Sequence, residues 1–100
     1  MKGLFFVTMA HVYILYSHSI DTFYVGSTGN LEDRMRRHNA GRSKYTKRGI
    51  PWTLVYAKEY ATKAEACREE YRIKAEKSRK YIEQLVQRYM QSRQEHLQLV

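Results

Sequence analysis

Two short runs of β-branched and aromatic residues, separated by a polar segment, constrain the fold of this chain most strongly. The first run is Val12 to Tyr16, the second is Thr22 to Val25, and the sequence SHSID lies between them. Residues of these types favour strands, and a short polar connection is typical of two neighbouring antiparallel strands. The sequence therefore predicts a β-hairpin near the N-terminus.

A helix is predicted directly after the hairpin. Gly26 to Gly29 should break the second strand, and Asn30 is a residue type that caps helix N-termini. Leu31 and Met35 then follow at helical spacing, and Gly41 is typical of a helix C-terminus. We expect a helix from about Asn30 to just before Gly41.

A basic loop and a third strand come next. Residues 42–51 are polar and basic and end in Gly-Ile-Pro, which predicts a loop. The segment WTLVYAKEY, residues 52–60, alternates in the way a strand does. The alternation places Trp52, Leu54 and Tyr56 on one face of that strand.

Two further helices complete the chain. Thr62 and Glu65 form a capping box, and the following helix is expected to extend to Ala75. Its apolar positions are Ala64, Cys67, Tyr71 and Ala75. A last helix from Ser78 carries an apolar stripe at helical spacing, which consists of Ile82, Leu85, Val86, Tyr89 and Met90. Closure of the sheet's core is the favoured interpretation of this stripe, and docking on another chain or on a second copy is the alternative.

The element order is ββαβαα, which defines an α+β domain on a three-stranded sheet. One hundred residues suffice for one compact domain but not for two independent cores. We divide the chain into an N-terminal extension (1–10), a single domain (11–90) and a C-terminal helical tail (91–100). The first residues lack a cleavage site and are not interpreted as a signal peptide.

The charge of the chain points to a polyanionic partner. Eighteen Lys and Arg face ten Asp and Glu, which gives a formal net charge of +8. The excess is concentrated in a stretch without acidic residues that holds Arg34, Arg36, Arg37, Arg42, Lys44, Lys47 and Arg48. DNA-backbone contact by this stretch is one interpretation, and a solvated basic loop is the other.

Composition also indicates a compartment. No apolar run approaches the length of a membrane span. The single cysteine, Cys67, can form no internal disulfide and has no zinc-ligand spacing, so we expect a core thiol in a reducing, cytoplasmic environment.

Several motifs in order make the sequence resemble the GIY-YIG nuclease superfamily, and most closely its small stand-alone bacterial members. The two name-giving motifs correspond to His11-Val12-Tyr13 and Tyr24-Val25-Gly26. The rest of the first block is similar at Ser27-Thr28, Asn30-Leu31, Arg34 and His38-Asn39. The segment AEACREEYRIK, residues 64–74, looks like the family's later helix, and the resemblance extends from residue 11 to about residue 86.

The resemblance implies an antiparallel three-stranded sheet flanked by helices, and a metal-dependent endonuclease acting on single-stranded or structured DNA in repair or recombination. Glu70 would hold one Mg²⁺ or Mn²⁺, since these ions prefer oxygen ligands. Arg34 would clamp phosphate oxygens with its two-pronged guanidinium. Tyr13 is our choice for the general base and Tyr24 for orienting water or phosphate, although family mechanisms differ on this division. A tyrosine base needs its pKa lowered, and His38 is the candidate for that task.

Three departures from the family pattern stand out: His11 replaces the usual glycine, Ser27 stands where some members carry a lysine, and no asparagine follows Glu70. Ser27 and Arg37 join the basic loop as predicted DNA-binding residues.

Each assignment has an ordinary structural alternative. Strand tyrosines usually pack in a core, Arg34 alone would be a solvated charge, and His38 alone would cap its helix. Glu70 could simply pair with Lys74 four residues on. At the level of function, the alternatives are a nucleic-acid-binding module of the same fold that cleaves poorly, and a partner-dependent interaction protein.

Overall fold

A computed structural model describes residues 9–99 of the chain, with side-chain environments through residue 96. Its elements are β1 (Ala10–Ser17), β2 (Thr22–Thr28), α1 (Leu31–Asn39), a 3₁₀ turn (Lys47–Gly49), β3 (Trp52–Tyr60), α2 (Lys63–Ala75) and α3 (Arg79–Leu99). The predicted N-terminal extension, except for its last two residues, lies outside the described residues. The domain boundaries at residues 10 and 90 stay predictions.

The three strands form one antiparallel sheet with the order β2-β1-β3. This arrangement confirms the predicted α+β fold with three strands and flanking helices. Because β1 is the central strand, it has neighbours on both edges and on both faces, and residues Val12 to Leu15 have no exposed surface. Side chains of β1 therefore alternate between two separate cores.

The larger core lies between the sheet and helices α2 and α3. Val12 and Ile14 of β1 pack there with buried residues that include Val25, Ala66 and Ile73. The α3 stripe packs against this core through Ile82, Leu85, Val86 and Tyr89. These four residues close the core of the sheet, which was the favoured interpretation of the stripe. Met90, its fifth member, is 51% exposed.

The smaller core lies on the opposite face, beneath α1 and the basic loop. Its buried members are Tyr13, Leu15 and Trp52, and partly buried neighbours such as Leu31 and Met35 come from α1. Asn30 caps α1 as predicted, since its side-chain oxygen accepts a hydrogen bond from the Asp33 N–H at 3.0 Å. Gly41 follows that helix with a positive φ of 78°.

A β-bulge in β3 makes the predicted facing of that strand wrong. Ile14 pairs with Tyr56 and Leu15 pairs with Leu54, so that Val55 is an extra residue on β3. An extra residue reverses the alternation beyond it. Leu54 consequently faces the smaller core, and Tyr56 faces the larger one.

Two further predictions need correction. The second strand does not break at Gly26, because β2 continues through it to Thr28. The buried residues of α2 are Ala66 and Ile73, while Cys67 is exposed and Tyr71 is 76% exposed. Ile73 is the one large aliphatic residue of α2, so burial of Ile73 sets the rotation of the helix and leaves the cysteine outside the core.

Candidate active site

Tyr13 stands at the centre of the site and is fully buried. It pairs with Gly26 across β1 and β2, and its ring lies over that glycine. A Cβ added at residue 26 would come within 2.5 Å of the Tyr13 hydroxyl oxygen and 2.6 Å of the ring carbon that carries it. The missing side chain at Gly26 is therefore what lets the phenol extend toward the edge of the sheet.

His38 of α1 lies between two hydroxyl groups. Its Nε2 is 2.9 Å from the Tyr13 hydroxyl, and its Nδ1 is 2.8 Å from the Thr46 hydroxyl. We assign the ring hydrogen to Nδ1, because the Thr46 hydroxyl can donate to the Ser43 carbonyl, 3.5 Å away, while it accepts from Nδ1–H. In this tautomer Nε2 is unprotonated and accepts the hydrogen bond of Tyr13.

The environment of these two groups sets their protonation. Burial, followed by the nearby positive charges of Arg34 and Arg37, lowers the pKa of His38, so the imidazole is neutral at physiological pH. Burial, followed by the neighbouring Tyr24, raises the pKa of Tyr13 to about 12, although Arg34 acts in the opposite direction. Tyr13 is thus a protonated hydrogen-bond donor in the free protein.

An arginine-rich cleft opens beside His38. It has a volume of about 310 Å³ and is lined by Tyr24, Arg34, Arg37, His38, Arg42 and Ser43. Five of these residues are predicted site residues, and Ser43 belongs to the basic loop. Three guanidinium groups around one cleft favour a ligand with several negative charges, such as a phosphodiester backbone.

Glu70 reaches the same region from α2. Its carboxylate accepts a hydrogen bond from the Ser27 hydroxyl at 2.6 Å and pairs with the Lys74 ammonium at 2.5 Å. The Lys74 Nζ lies 5.9 Å from the centroid of the Tyr24 ring. The negative charge of Glu70 also contributes to raising the pKa of Tyr13. The ion pair with Lys74, which the sequence offered as the structural alternative for Glu70, is present.

The donor set fits a metal ion that takes one carboxylate. No cluster of three or more His, Cys, Asp or Glu side chains that could hold a metal occurs in the part of the chain that the structure describes. Mg²⁺ retains several waters and uses few protein ligands, so Glu70 with water and a substrate phosphate would suffice. The Lys74 ammonium holds one oxygen of Glu70, and its half-exposed side chain can leave when a cation binds.

The basic loop meets the site only in part. Arg42 lines the cleft, whereas Lys44, Lys47 and Arg48 are exposed and are not among its lining residues. The loop is held by Thr46, a residue that sequence reasoning missed, because no periodicity marks a buried threonine in an irregular segment. Lys74 was considered only as a partner of Glu70, and its i+4 spacing was the available signal.

The sequence matches the family model of the GIY-YIG catalytic domain over residues 9–82. The chain therefore belongs to the GIY-YIG family, a family of nucleases. Within it, the chain is similar to the small proteins called UPF0213.

One such relative, from Oceanobacillus iheyensis, is 43% identical over 65 residues, which is 64% of this chain and 74% of the relative. Another, from Halobacterium salinarum, is 43% identical over 67 residues, which is 66% of this chain and 86% of the relative. A solution NMR structure of a UPF0213 protein from Bacillus halodurans is 36% identical, covers 79% of this chain and 83% of its own, and has a TM-score of 0.51. No helix among residues 9–99 is long and apolar enough to cross a membrane.

Proposed function

We propose that this protein is a divalent-metal-dependent endonuclease that hydrolyses phosphodiester bonds in DNA. The observation that carries the proposal is the 2.9 Å contact between the Tyr13 hydroxyl and His38 Nε2, which lies beside an arginine-lined cleft and near the carboxylate of Glu70. The proposal includes a role in DNA repair or recombination, which rests on the resemblance. It also includes a cytoplasmic location, which rests on composition.

The pKa values of Tyr13 and His38 favour a relay over a standing tyrosinate. Burial raises the pKa of Tyr13 to about 12 and lowers the pKa of His38. Both changes keep the proton on Tyr13 and oppose its full transfer to His38. In the mechanism we propose, Tyr13 releases its proton to His38 as it takes one from the attacking water, so no full charge accumulates on the phenol.

The arginines supply the positive charge that the reaction needs. Arg34 can place two donors on the phosphate, and Arg37 and Arg42 add positive charge to the cleft. A divalent ion held by Glu70 would withdraw charge from a non-bridging phosphate oxygen. With Glu70 holding such an ion, the Lys74 ammonium would be free to serve as another cation for the substrate.

Tyr24 is a second candidate for the base. It lines the cleft and is only partly buried, whereas Tyr13 has no exposed surface and needs its covering side chains to move before water reaches it. The two assignments predict different results: cleavage should be lost in Tyr13→Phe if Tyr13 is the base, and in Tyr24→Phe if Tyr24 is the base.

Replacement of Glu70 tests the proposal most directly. Glu70→Gln keeps the shape of the side chain but removes the charge that holds the ion, so cleavage of labelled oligonucleotides with Mg²⁺ or Mn²⁺ should fall by orders of magnitude. DNA binding in EDTA should persist or tighten, because a carboxylate near the phosphates has been neutralised. Glu69→Gln is the matched control, since Glu69 is the adjacent carboxylate of α2 and pairs with Arg72.

Two outcomes contradict the proposal. Cleavage by Glu70→Gln at the wild-type rate would mean that the activity has another origin. A wild-type protein that binds DNA but cleaves no single-stranded, duplex or branched substrate would be a nucleic-acid-binding module, the alternative that the pairing of Glu70 with Lys74 favours. Self-association through α3 stays a prediction, which sedimentation analysis can test. Met90 is an exposed apolar residue of this helix.

A further inference from the structure

Among the residues that the structure describes, Tyr45 is the most exposed of the large hydrophobic side chains, and the fold makes no use of its ring. Its exposed fraction is 92%, compared with 0% for the adjacent Thr46. It lies in the middle of the basic loop, with Lys44 before it and Lys47 two residues after it. An aromatic ring held in water and flanked by cations contributes little to stability, which directs attention to a ligand.

The backbone beside Tyr45 is firmly held. The Thr46 carbonyl accepts a hydrogen bond from the Trp52 indole N–H at 2.6 Å and another from the Gly49 N–H at 3.1 Å. The Thr46 N–H donates to the Ser43 carbonyl at 3.2 Å, and the Thr46 side chain contacts His38. The ring of Tyr45 therefore projects from a fixed point, and its ordering on binding would cost the entropy of only two side-chain torsions.

This fixed point adjoins the arginine-lined cleft. Arg42 and Ser43 line the cleft, and the hydrogen bonds of Thr46 connect the loop to His38 and so to Tyr13. Tyr45 follows the cleft-lining residue Ser43 by two positions, so their Cα atoms are at most about 7 Å apart. A base next to a phosphate in the cleft is therefore at a distance that a tyrosine side chain at this position can span.

We propose that Tyr45 is a stacking platform for an unpaired base of single-stranded DNA, and that the phosphates of the same strand lie along the cleft and Arg42. The assignment rests on the proposed function and specifies its substrate class. In a duplex, the faces of the bases are covered by their neighbours, so a surface tyrosine can stack only on a base that is unpaired. Aromatic stacking combined with a basic groove is the usual basis of single-strand binding.

The test measures binding of fluorescein-labelled oligodeoxythymidylate in EDTA, where no cleavage occurs. A second probe is an abasic oligomer of the same length, and a third is a blunt duplex. Tyr45→Ala should weaken binding to oligodeoxythymidylate by roughly 5- to 150-fold. Its affinity for the abasic oligomer and its salt dependence should match the wild type, because no charge has been lost.

Two further variants separate stacking from other effects. Tyr45→Phe keeps the ring and should bind nearly as the wild type does. Tyr71→Ala is the matched control, since it removes another highly exposed tyrosine, from α2, and should leave binding unchanged. The melting temperature of each variant should equal that of the wild type, because neither tyrosine is packed.

Each contrary result has a distinct meaning. An unchanged affinity of Tyr45→Ala for oligodeoxythymidylate, or an equal loss on the abasic oligomer, would overturn the stacking role while leaving the nuclease proposal intact. Oligouridylate of the same length is a fourth probe, and tighter wild-type binding to it would overturn the choice of DNA. Tighter wild-type binding to the blunt duplex than to oligodeoxythymidylate would overturn the choice of a single strand. A wild-type protein that binds none of the probes would refute both proposals, whereas normal cleavage by Glu70→Gln would refute only the nuclease mechanism.

Discussion

Replacement of Gly26 by alanine should damage the site through a single methyl group. That methyl would lie 2.5 Å from the Tyr13 hydroxyl oxygen and 2.6 Å from its ring carbon, whereas carbon atoms in contact are about 3.5–4.0 Å apart. The ring must therefore retreat by roughly 1 Å. Because Tyr13 has no exposed surface, it has no free space to enter, and the strain is shared with the smaller core.

The size of the effect follows from two opposing contributions. Overpacking of this kind costs about 1–3 kcal/mol, and replacement of a strand glycine by alanine recovers about 0.5–1 kcal/mol of backbone entropy. We expect a net loss of about 0–2.5 kcal/mol in the free energy of unfolding. A displacement of about 1 Å also disrupts the 2.9 Å contact between Tyr13 and His38, so cleavage should fall about 100-fold.

Urea unfolding and oligonucleotide cleavage measure the two effects separately. Gly29→Ala is the matched control, because an added Cβ there meets nothing within 4 Å. The control should retain the wild-type unfolding midpoint and cleavage rate. If Gly26→Ala unfolds and cleaves as the wild type does, the Tyr13 ring does not lie over residue 26, and the geometric basis of the proposed site is wrong.

Three further predictions address the proton relay and the loop. Tyr13→Phe keeps the packed ring but leaves the His38 Nε2 without its donor, so stability should fall by about 1–3 kcal/mol and cleavage should be strongly slowed; near-normal turnover would transfer the role of base to Tyr24. The folded state holds His38 neutral with a lowered pKa, so its contribution to stability is complete above the unfolded pKa of about 6.5 and is lost as the pH falls through the folded pKa. Urea titrations from about pH 7 to 5 should show this loss in the wild type and a smaller one in His38→Gln. Neutralising two of the exposed loop cations Lys44, Lys47 and Arg48 should weaken binding to all DNA sequences and lower the salt slope by about 1–2 units, whereas an unchanged slope would identify the loop as a solvated surface.

The parts of the fold that local signals specify were predictable from sequence. Asn30 and Thr62 cap helices in the structure as predicted, because a capping residue and its N–H partner lie within one helical turn. The bulge at Val55 carries no such local signal, since it arises from the pairing of β3 with β1. The rotation of α2 likewise depends on where the sheet accepts Ile73, which a count of apolar positions cannot supply.

The motifs identified the residues of the candidate site but not their contacts. Order along the chain indicated that Tyr13 and His38 belong together, yet the bond between them depends on α1 packing over the smaller core. Thr46 could not be found in this way, because its role comes from a loop that closes over the histidine. The prediction that Cys67 lies in the core was wrong because the rotation of α2 could not be predicted from the sequence. The Cys67 sulfur lies 3.7 Å from the Ser27 hydroxyl oxygen instead.

The position of β2 at the edge of the sheet explains how residues from opposite faces form one site. Tyr24 and Ser27 are three residues apart on this strand and therefore point to opposite faces, Tyr24 toward His38 and Ser27 toward Glu70. In a central strand the neighbouring strands would separate these groups. At the edge, where only β1 pairs with β2, Lys74 can hold Glu70 and still lie 5.9 Å from the Tyr24 ring. Gly26 lies between Tyr24 and Ser27 on this strand. A side chain at that position would displace Tyr13 from its contact with His38 and from the influence of Glu70 on its pKa.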